Sequence, residues 1–96
     1  MKICTADILY IEGMSEYVRI HLAHQKPITV LISMKKILES VPASFMRVHR
    51  SYIINLNLIS EVNKNFVWLD NGAALPIGEV YRTDFLAYIE SKYIGK

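Results

Sequence analysis

An acid-free interval near the middle of the chain concentrates the side chains best suited to bind an anion. Residues 40–60 contain no aspartate or glutamate, although the chain has 9 acidic residues in 96. The interval holds Arg47, His49 and Arg50, with Ser51 beside them. An arginine guanidinium presents a planar fork of donors that matches a phosphate or the O6 and N7 atoms of guanine, and histidine and serine add shorter hydrogen bonds. The interval is therefore a candidate site for a phosphate or a base edge, although the same arginines would also suit a solvated loop.

The other polar residues form no pattern typical of catalysis or metal binding. Asp7 and Glu12 would lie about 16 Å apart on opposite faces of an extended strand. The chain has 1 cysteine and 3 scattered histidines, which give no metal-ligand spacing. It contains no Ser-His-Asp order, nucleophile elbow or glycine-rich phosphate loop. We therefore expect no enzyme activity, no cofactor and no bound metal.

Composition indicates a single folded domain in a reducing compartment. A chain of 96 residues is long enough for one core, and a hydrophobic fraction of 52% argues against disorder. No apolar run approaches the roughly 18 residues that a membrane span needs, and the first residues lack a signal-peptide pattern. These features predict a cytoplasmic chain without membrane contact. The net charge of +2 is too small to identify a nucleic-acid binder by itself.

Hydrophobic periodicity predicts a mainly β domain with two helices. Alternating or β-branched segments favour strands at residues 7–12, 16–22, 28–32, 52–55, 58–62, 66–69 and 73–77. Residues 44–51 are expected to form a loop or an irregular strand. A short helix is predicted from Ser33, a suitable N-cap, to about Glu39. A second helix is predicted from Val80, with Gly95 just beyond its end.

Several side chains are expected to serve the fold and not a ligand. Asn71-Gly72 predicts a hairpin turn with positive φ at both residues. Asn55, at the end of its strand, is expected to fix the local backbone, and Trp68 to be buried in the core or an interface. Phe85 belongs to an apolar stripe that would pack the second helix on the sheet. His21 is expected to be an ordinary surface residue.

The central string resembles the LytTR family of bacterial DNA-binding domains. The family pattern is an aromatic residue, any residue, then Arg-x-His-Arg-Ser-aromatic-x-aliphatic-Asn. Residues 45–55, Phe-Met-Arg-Val-His-Arg-Ser-Tyr-Ile-Ile-Asn, match every element of it. The strand pattern within residues 7–20, the Asn71-Gly72 turn and Tyr81 before a terminal helix follow in the family's order. The resemblance covers residues 7–88, almost the whole chain.

The resemblance implies an elongated, mainly β fold of several short antiparallel strands, with one short helix and a C-terminal helix. In this family loops enter successive major grooves of promoter DNA, commonly at paired direct repeats, where two domains can lie side by side as a homodimer. Family members usually follow the receiver domain of a two-component response regulator. Residues 1–96 would then be a single DNA-binding domain, excised from such a regulator without its receiver.

Three regions of the chain would face DNA by this resemblance. The residues carried over from the first two regions are Glu16, Tyr17, Lys35, Arg47, His49, Arg50 and Ser51. Glu16 and Tyr17 form the first region, at the turn before the second strand. In the second, His49 and Arg50 are the candidates for base contact. Arg47 and Ser51 flank them as phosphate contacts, and Lys35 near the short helix would add another. The third region leads into the C-terminal helix and includes Tyr81 and Arg82.

The third region departs from a common family pattern. Many relatives carry Ser-Arg just before the tyrosine, where this chain has Gly78-Glu79-Val80. A carboxylate repels phosphate but can accept a hydrogen bond from cytosine N4. Arg82, one turn into the helix, is a candidate for the missing positive charge.

Two other functions remain open at this point. A high apolar content and a modest charge also suit a protein-interaction module that recruits a partner at an exposed strand edge. An RNA-binding β domain would prefer single strands and would stack bases on Tyr17 or Trp68.

Overall fold

Two antiparallel sheets and two helices make up the molecule. The computed structural model describes residues 2–93, so the prediction for Gly95 lies outside the described residues. The strands are β1 (Ile8–Met14), β2 (Tyr17–Leu22), β3 (Ile28–Leu31), β4 (Phe45–His49), β5 (Tyr52–Asn55), β6 (Ile59–Val62), β7 (Phe66–Leu69) and β8 (Ala74–Pro76), and the helices are α1 (Met34–Ser40) and α2 (Glu79–Lys92). One sheet has the order β3-β2-β1-β5-β4 and the other β6-β7-β8. The predicted mainly β fold is confirmed, and extents of 40 × 27 × 21 Å make it elongated.

The five-stranded sheet separates two hydrophobic clusters. On one face, Ile11, Val18 and Ile53 pack with Ile37 of α1. On the other face, a second cluster joins this sheet to the three-stranded sheet and to α2; its buried members are Leu9, Val48, Ile54, Leu56, Val67, Leu69, Leu75, Ile77 and Phe85. Because β1 and β5 contribute to both clusters, the large sheet is the common wall of the fold.

Side chains that cap or bridge the elements behave largely as the sequence indicates. The Ser33 hydroxyl accepts a hydrogen bond from the Lys36 N–H at 3.1 Å, which confirms the N-cap of α1. Asn55 is buried, and its amide donates to the Ile8 carbonyl at 2.9 Å while its oxygen accepts from the Asn57 N–H at 3.0 Å. Asn55 therefore ties the end of β5 to the start of β1, as expected of a backbone-fixing residue.

The Asn-Gly hairpin forms, but with a different turn from the one predicted. Gly72 has a φ of +89°, whereas Asn71 is not among the positive-φ residues of the described chain. The Gly72 N–H donates to the Leu69 carbonyl at 2.9 Å, and the Asn71 side chain accepts from the Ala73 N–H at 3.0 Å. The turn is thus a three-residue loop, a type that needs only one left-handed residue, and the asparagine side chain adds a hydrogen bond within it.

The longer helix, α2, has 14 residues. No helix in the described part of the chain has the length and hydropathy needed to cross a bilayer.

Candidate nucleic-acid interface

The acid-free motif forms a hairpin at one end of the five-stranded sheet. Residues predicted to be a loop or an irregular strand make up β4, whose register shifts between Arg47 and His49. His49 pairs with Tyr52, so Arg50 and Ser51 are the two residues of the loop. The Arg50 side chain is exposed, and no hydrogen bond ties it to another of residues 2–93. Arg50 is therefore a free cation at the tip of a short hairpin.

Arg47 holds that hairpin tip together. Its Nε donates to the His49 carbonyl at 3.4 Å and its Nη2 donates to the Arg50 carbonyl. The guanidinium carbon also lies 5.8 Å from the centre of the Tyr81 ring, within cation–π range. A guanidinium has five N–H donors, so three remain for a phosphate after these two bonds are made. Arg47 can thus shape the loop and still present positive charge beside it.

His49 is held in one orientation by the loop backbone. Its Nδ1 accepts a hydrogen bond from the Ser51 N–H at 3.0 Å, so the neutral ring carries its proton on Nε2. Burial lowers the pKa of His49, and the positive charges of Arg50 and Arg47 lower it further. The ring lies 5.3 Å from that of Tyr52. The result is a neutral, oriented Nε2–H donor beside a cationic loop.

The β1–β2 turn lies at the same end of the sheet. Met14 pairs with Tyr17, leaving Ser15 and Glu16 as a two-residue loop. The register of β1 with β5 pairs Glu12 with Tyr52, so the end of β1 lies next to the start of β5. Glu16 is exposed, and Tyr17 retains 47% of its accessible surface. The structure therefore brings the first predicted region alongside the central one.

The start of α1 is attached to both turns through Gly13. The Gly13 N–H donates to the Ser51 carbonyl at 2.8 Å. A Cβ added to Gly13 would lie 3.0 Å from the Met34 Cγ, so the first residue of α1 packs directly on this glycine. Lys35 follows and is exposed. Glycine at position 13 is what lets the helix approach this closely.

The segment that leads into α2 packs against the central hairpin. The Gly78 N–H donates to the Val48 carbonyl at 2.7 Å. A Cβ at Gly78 would lie 3.3 Å from the His49 Cα and 3.2 Å from the Tyr81 ring. The third predicted region is therefore adjacent to His49, and the four segments meet at one end of the molecule.

Arg82, the candidate for the missing positive charge, is bonded to other parts of the fold. Its Nε donates to the Lys64 carbonyl at 3.0 Å, its Nη2 to the Ile77 carbonyl at 3.0 Å, and its Nη1 to the Glu79 carboxylate at 3.1 Å. These bonds attach the first turn of α2 to the β6–β7 turn. The pairing with Glu79 also offsets the positive charge that the sequence suggested for a phosphate. Contact of Arg82 with DNA remains only a prediction.

His21 is not the isolated surface residue that was expected. Its Nε2 lies 3.0 Å from the Glu12 carboxylate, and its ring stacks on Tyr10 with centroids 4.1 Å apart. Burial raises the pKa of Tyr10, and the charge of Glu12 raises it further. The Tyr10 ring also meets Tyr52 at 6.1 Å, and Tyr52 in turn meets His49. The four rings thus form a continuous row along the sheet that ends at His49 in the central hairpin.

Sequence reasoning missed the packing contacts of two glycines and a methionine. Gly13 and Gly78 allow the close approaches at the central hairpin, and Met34 fills the space above Gly13. A glycine at the end of a strand or just before a helix is the signal that could have indicated such a contact. No three His, Cys, Asp or Glu side chains within residues 2–93 lie close enough together to hold a metal ion.

Comparisons with known proteins agree with this architecture. A family model described as the LytTr DNA-binding domain matches residues 1–90. The LytTr DNA-binding domain of a protein described as a methyl-accepting/DNA response regulator from Bacillus cereus shares the fold, with a TM-score of 0.82. The sequences are 22% identical, and the match covers 93% of this chain and 86% of that one. The chain belongs to the LytTR family of DNA-binding domains.

Two similar full-length proteins are transcription regulators. Transcriptional regulatory protein LytR of Staphylococcus aureus strain MW2 is 45% identical over 53 residues, which are 50% of this chain and 22% of the relative. The protein of the same name from strain N315 is 43% identical over 53 residues, with the same coverage. The match thus spans about a fifth of the length of these relatives.

Proposed function

We propose that this chain binds duplex DNA sequence-specifically as the output domain of a bacterial transcription regulator. One observation carries the proposal: the β1–β2 turn, the β4–β5 turn and the starts of α1 and α2 are gathered at one end of the molecule. The major groove of B-DNA admits a helix or a two-stranded β ribbon, so the hairpin turns at this end can enter it. Affinity comes from cations at phosphates, and discrimination comes from the central turn.

Each residue of the central turn has a distinct part in this proposal. Arg50, free at the tip, donates to guanine O6 and N7 or to a phosphate. The Nε2–H of His49 donates to a base-edge acceptor without adding charge. Arg47 and Ser51 flank these two at phosphates, and Lys35 adds a cation from α1. Glu16, Tyr17 and Tyr81 border the same surface.

The proposed regulator would be larger than this chain. The staphylococcal relatives are named transcriptional regulatory proteins, and the match covers 22% of them. We propose that a receiver domain precedes the chain in its parent, that phosphorylation promotes pairing of two copies, and that the pair occupies direct repeats in successive grooves.

Selection from a random duplex pool tests DNA binding directly. The expected result is a conserved motif, whose log affinity falls with log salt at a slope of about −4 to −5 if 4 to 6 phosphates are neutralised. Arg50→Ala should cost roughly 1–3 kcal/mol on the selected site and much less on random duplex. Lys26→Ala removes an exposed cation at the opposite end of the sheet and serves as the control.

Two results would contradict the proposal. Retention of single-stranded RNA in preference to duplex DNA would favour an RNA-binding domain instead. The absence of any retained duplex at low salt would favour a protein-interaction module.

A further inference from the structure

Val80 is the most exposed of the large hydrophobic side chains in the described chain, at 86%. It occupies the second position of α2, two residues after Gly78, whose backbone packs on His49. Single exposed apolar residues are common on protein surfaces, so exposure alone carries no weight. Because Gly78 packs on His49, Val80 lies at the same end of the molecule as the central hairpin.

Hydrogen bonds hold the chain on both sides of Val80. The Gly78 N–H bonds to the Val48 carbonyl at 2.7 Å, and the Tyr81 N–H bonds to the Gly78 carbonyl at 3.0 Å. Arg82 adds bonds to the Lys64 and Ile77 carbonyls. These bonds are made by residues on either side of Val80, so its exposed side chain has no part in holding the segment.

The charge beside Val80 disfavours a phosphate partner. Glu79 is 92% exposed at its side chain, and its carboxylate lies 3.1 Å from the Arg82 guanidinium. The pair is neutral overall, so this turn of helix offers neither net positive charge nor a free guanidinium. Besides the backbone N–H groups of the helix start and the Glu79 carboxylate, this turn offers DNA the exposed isopropyl group of Val80, which suits an apolar contact.

Only one feature of a base edge in the major groove is apolar, the C5-methyl group of thymine. We infer that Val80 contacts a thymine methyl of the target site, next to the bases read by His49 and Arg50, and so selects thymine at that position. This inference rests on the proposed function. It adds a specificity-determining residue where family members commonly carry a positive charge.

Replacement of thymine by deoxyuridine removes the methyl group and nothing else, so it isolates the contact. Each thymine of the selected site is replaced in turn, and the affinities of the wild-type protein and of Val80→Ser are compared. The wild type should lose about fourfold at one position, the value for one buried methyl group. At that position, deoxyuridine should not reduce the affinity of Val80→Ser, whereas it should reduce the affinity of Val80→Ile as it does that of the wild type. Thr83→Ala, exposed on the same helix, should behave as wild type.

The outcomes separate the inference from the function on which it rests. A selected site whose deoxyuridine effects are the same for the wild type and Val80→Ser overturns the inference and leaves DNA binding intact. A selected site without thymine beside the His49 and Arg50 positions does the same. Failure to select any duplex overturns both.

Discussion

His49 serves the hairpin and the proposed target with different ring atoms. Its Nδ1 accepts from the Ser51 N–H, which closes the loop, and its Nε2 has no hydrogen-bond partner among residues 2–93. The two functions can therefore be removed one at a time. Asparagine carries an oxygen where histidine carries Nδ1, and glutamine carries a nitrogen near the position of Nε2.

The variants His49→Asn and His49→Gln should separate loop closure from base recognition. His49→Asn keeps an acceptor for the Ser51 N–H, so it should retain stability and lose discrimination among duplexes. His49→Gln should lose about 0.5–1.5 kcal/mol of stability, because the Ser51 N–H loses its partner. Urea denaturation and binding to selected and random duplexes measure both effects. Equal losses of stability in the two variants would contradict the assignment of Nδ1.

The lowered pKa of His49 predicts a stability that depends on pH. The folded protein favours the neutral ring, so the unfolded chain binds more protons below the usual histidine pKa of about 6.5. The stabilising contribution is therefore present above that pH and is lost as the pH falls through the lower folded-state pKa. As the pH falls from 7.5 to 5, the wild type should therefore lose more free energy of unfolding than His49→Asn does. A difference that stays constant with pH would count against this role.

The sequence indicated which side chains belong to the candidate site but not which groups they bond to. The motif placed Arg47, His49 and Arg50 together because they are neighbours along the chain. It could not show that Arg82 bonds to the carbonyl of Lys64, 18 positions away, because that contact exists only after the sheet and the helix have packed. The Glu12–His21 pair was missed for the same reason, since it depends on the register of β1 with β2.

At the scale of elements, the β1–β2 turn contains a residue in an unfavourable conformation. Ser15 has a φ of +65°, a region where a side chain is strained and glycine is not. Ser15→Gly should raise the free energy of unfolding slightly, and Ser15→Val should lower it, with about 1–2 kcal/mol between them. Urea midpoints of the two variants measure this difference. Glu16→Gly, in the other position of the loop, should not be stabilising and serves as the control.

Two glycines offer a matched test of how α2 is attached to the central hairpin. Gly78 has an ordinary φ of −71°, but an added Cβ would lie 3.3 Å from the His49 Cα. Gly78→Ala should move the helix start away from the hairpin and weaken DNA binding more than it weakens folding. Gly72→Ala adds a methyl group in open space but at a φ of +89°, so it should cost about 1 kcal/mol of stability and leave DNA binding unchanged. Identical binding by both variants would show that the attachment does not matter.

Most elements follow from local patterns, and the differences lie where local and tertiary effects compete. Alternation predicted β2 closely because its inward face is apolar, and β-branched or aromatic runs predicted β5 and β7. The segment that became β4 was ambiguous because a bulge near Arg47 breaks its alternation. The pairing of β1 with β5 and the close approach of Gly78 to His49 have no local signal, because each depends on residues far apart along the chain.

For the molecule as a whole, the two hydrophobic clusters should behave as one cooperative unit. Phe85 is fully buried between α2 and both sheets, whereas Phe66 is 42% exposed. Phe85→Ala should cost about 3–5 kcal/mol, a large part of the stability expected for a domain of this size. Phe66→Ala should cost far less. Circular dichroism during urea denaturation should show a single transition for each variant; two transitions would mean that the clusters unfold separately.

The exposed positions of Arg50 and Val80 have an evolutionary consequence. Neither side chain belongs to a hydrophobic cluster, and the bonds that hold their segments are made by Arg47, Gly78 and Arg82. Under the proposed function, mutations at these two sites would alter operator preference at little cost to the stability of the fold. The products of a duplicated gene could come to recognise different promoters through mutations at such positions alone. Paralogous regulators in one genome could then stop binding each other's sites without losing stability.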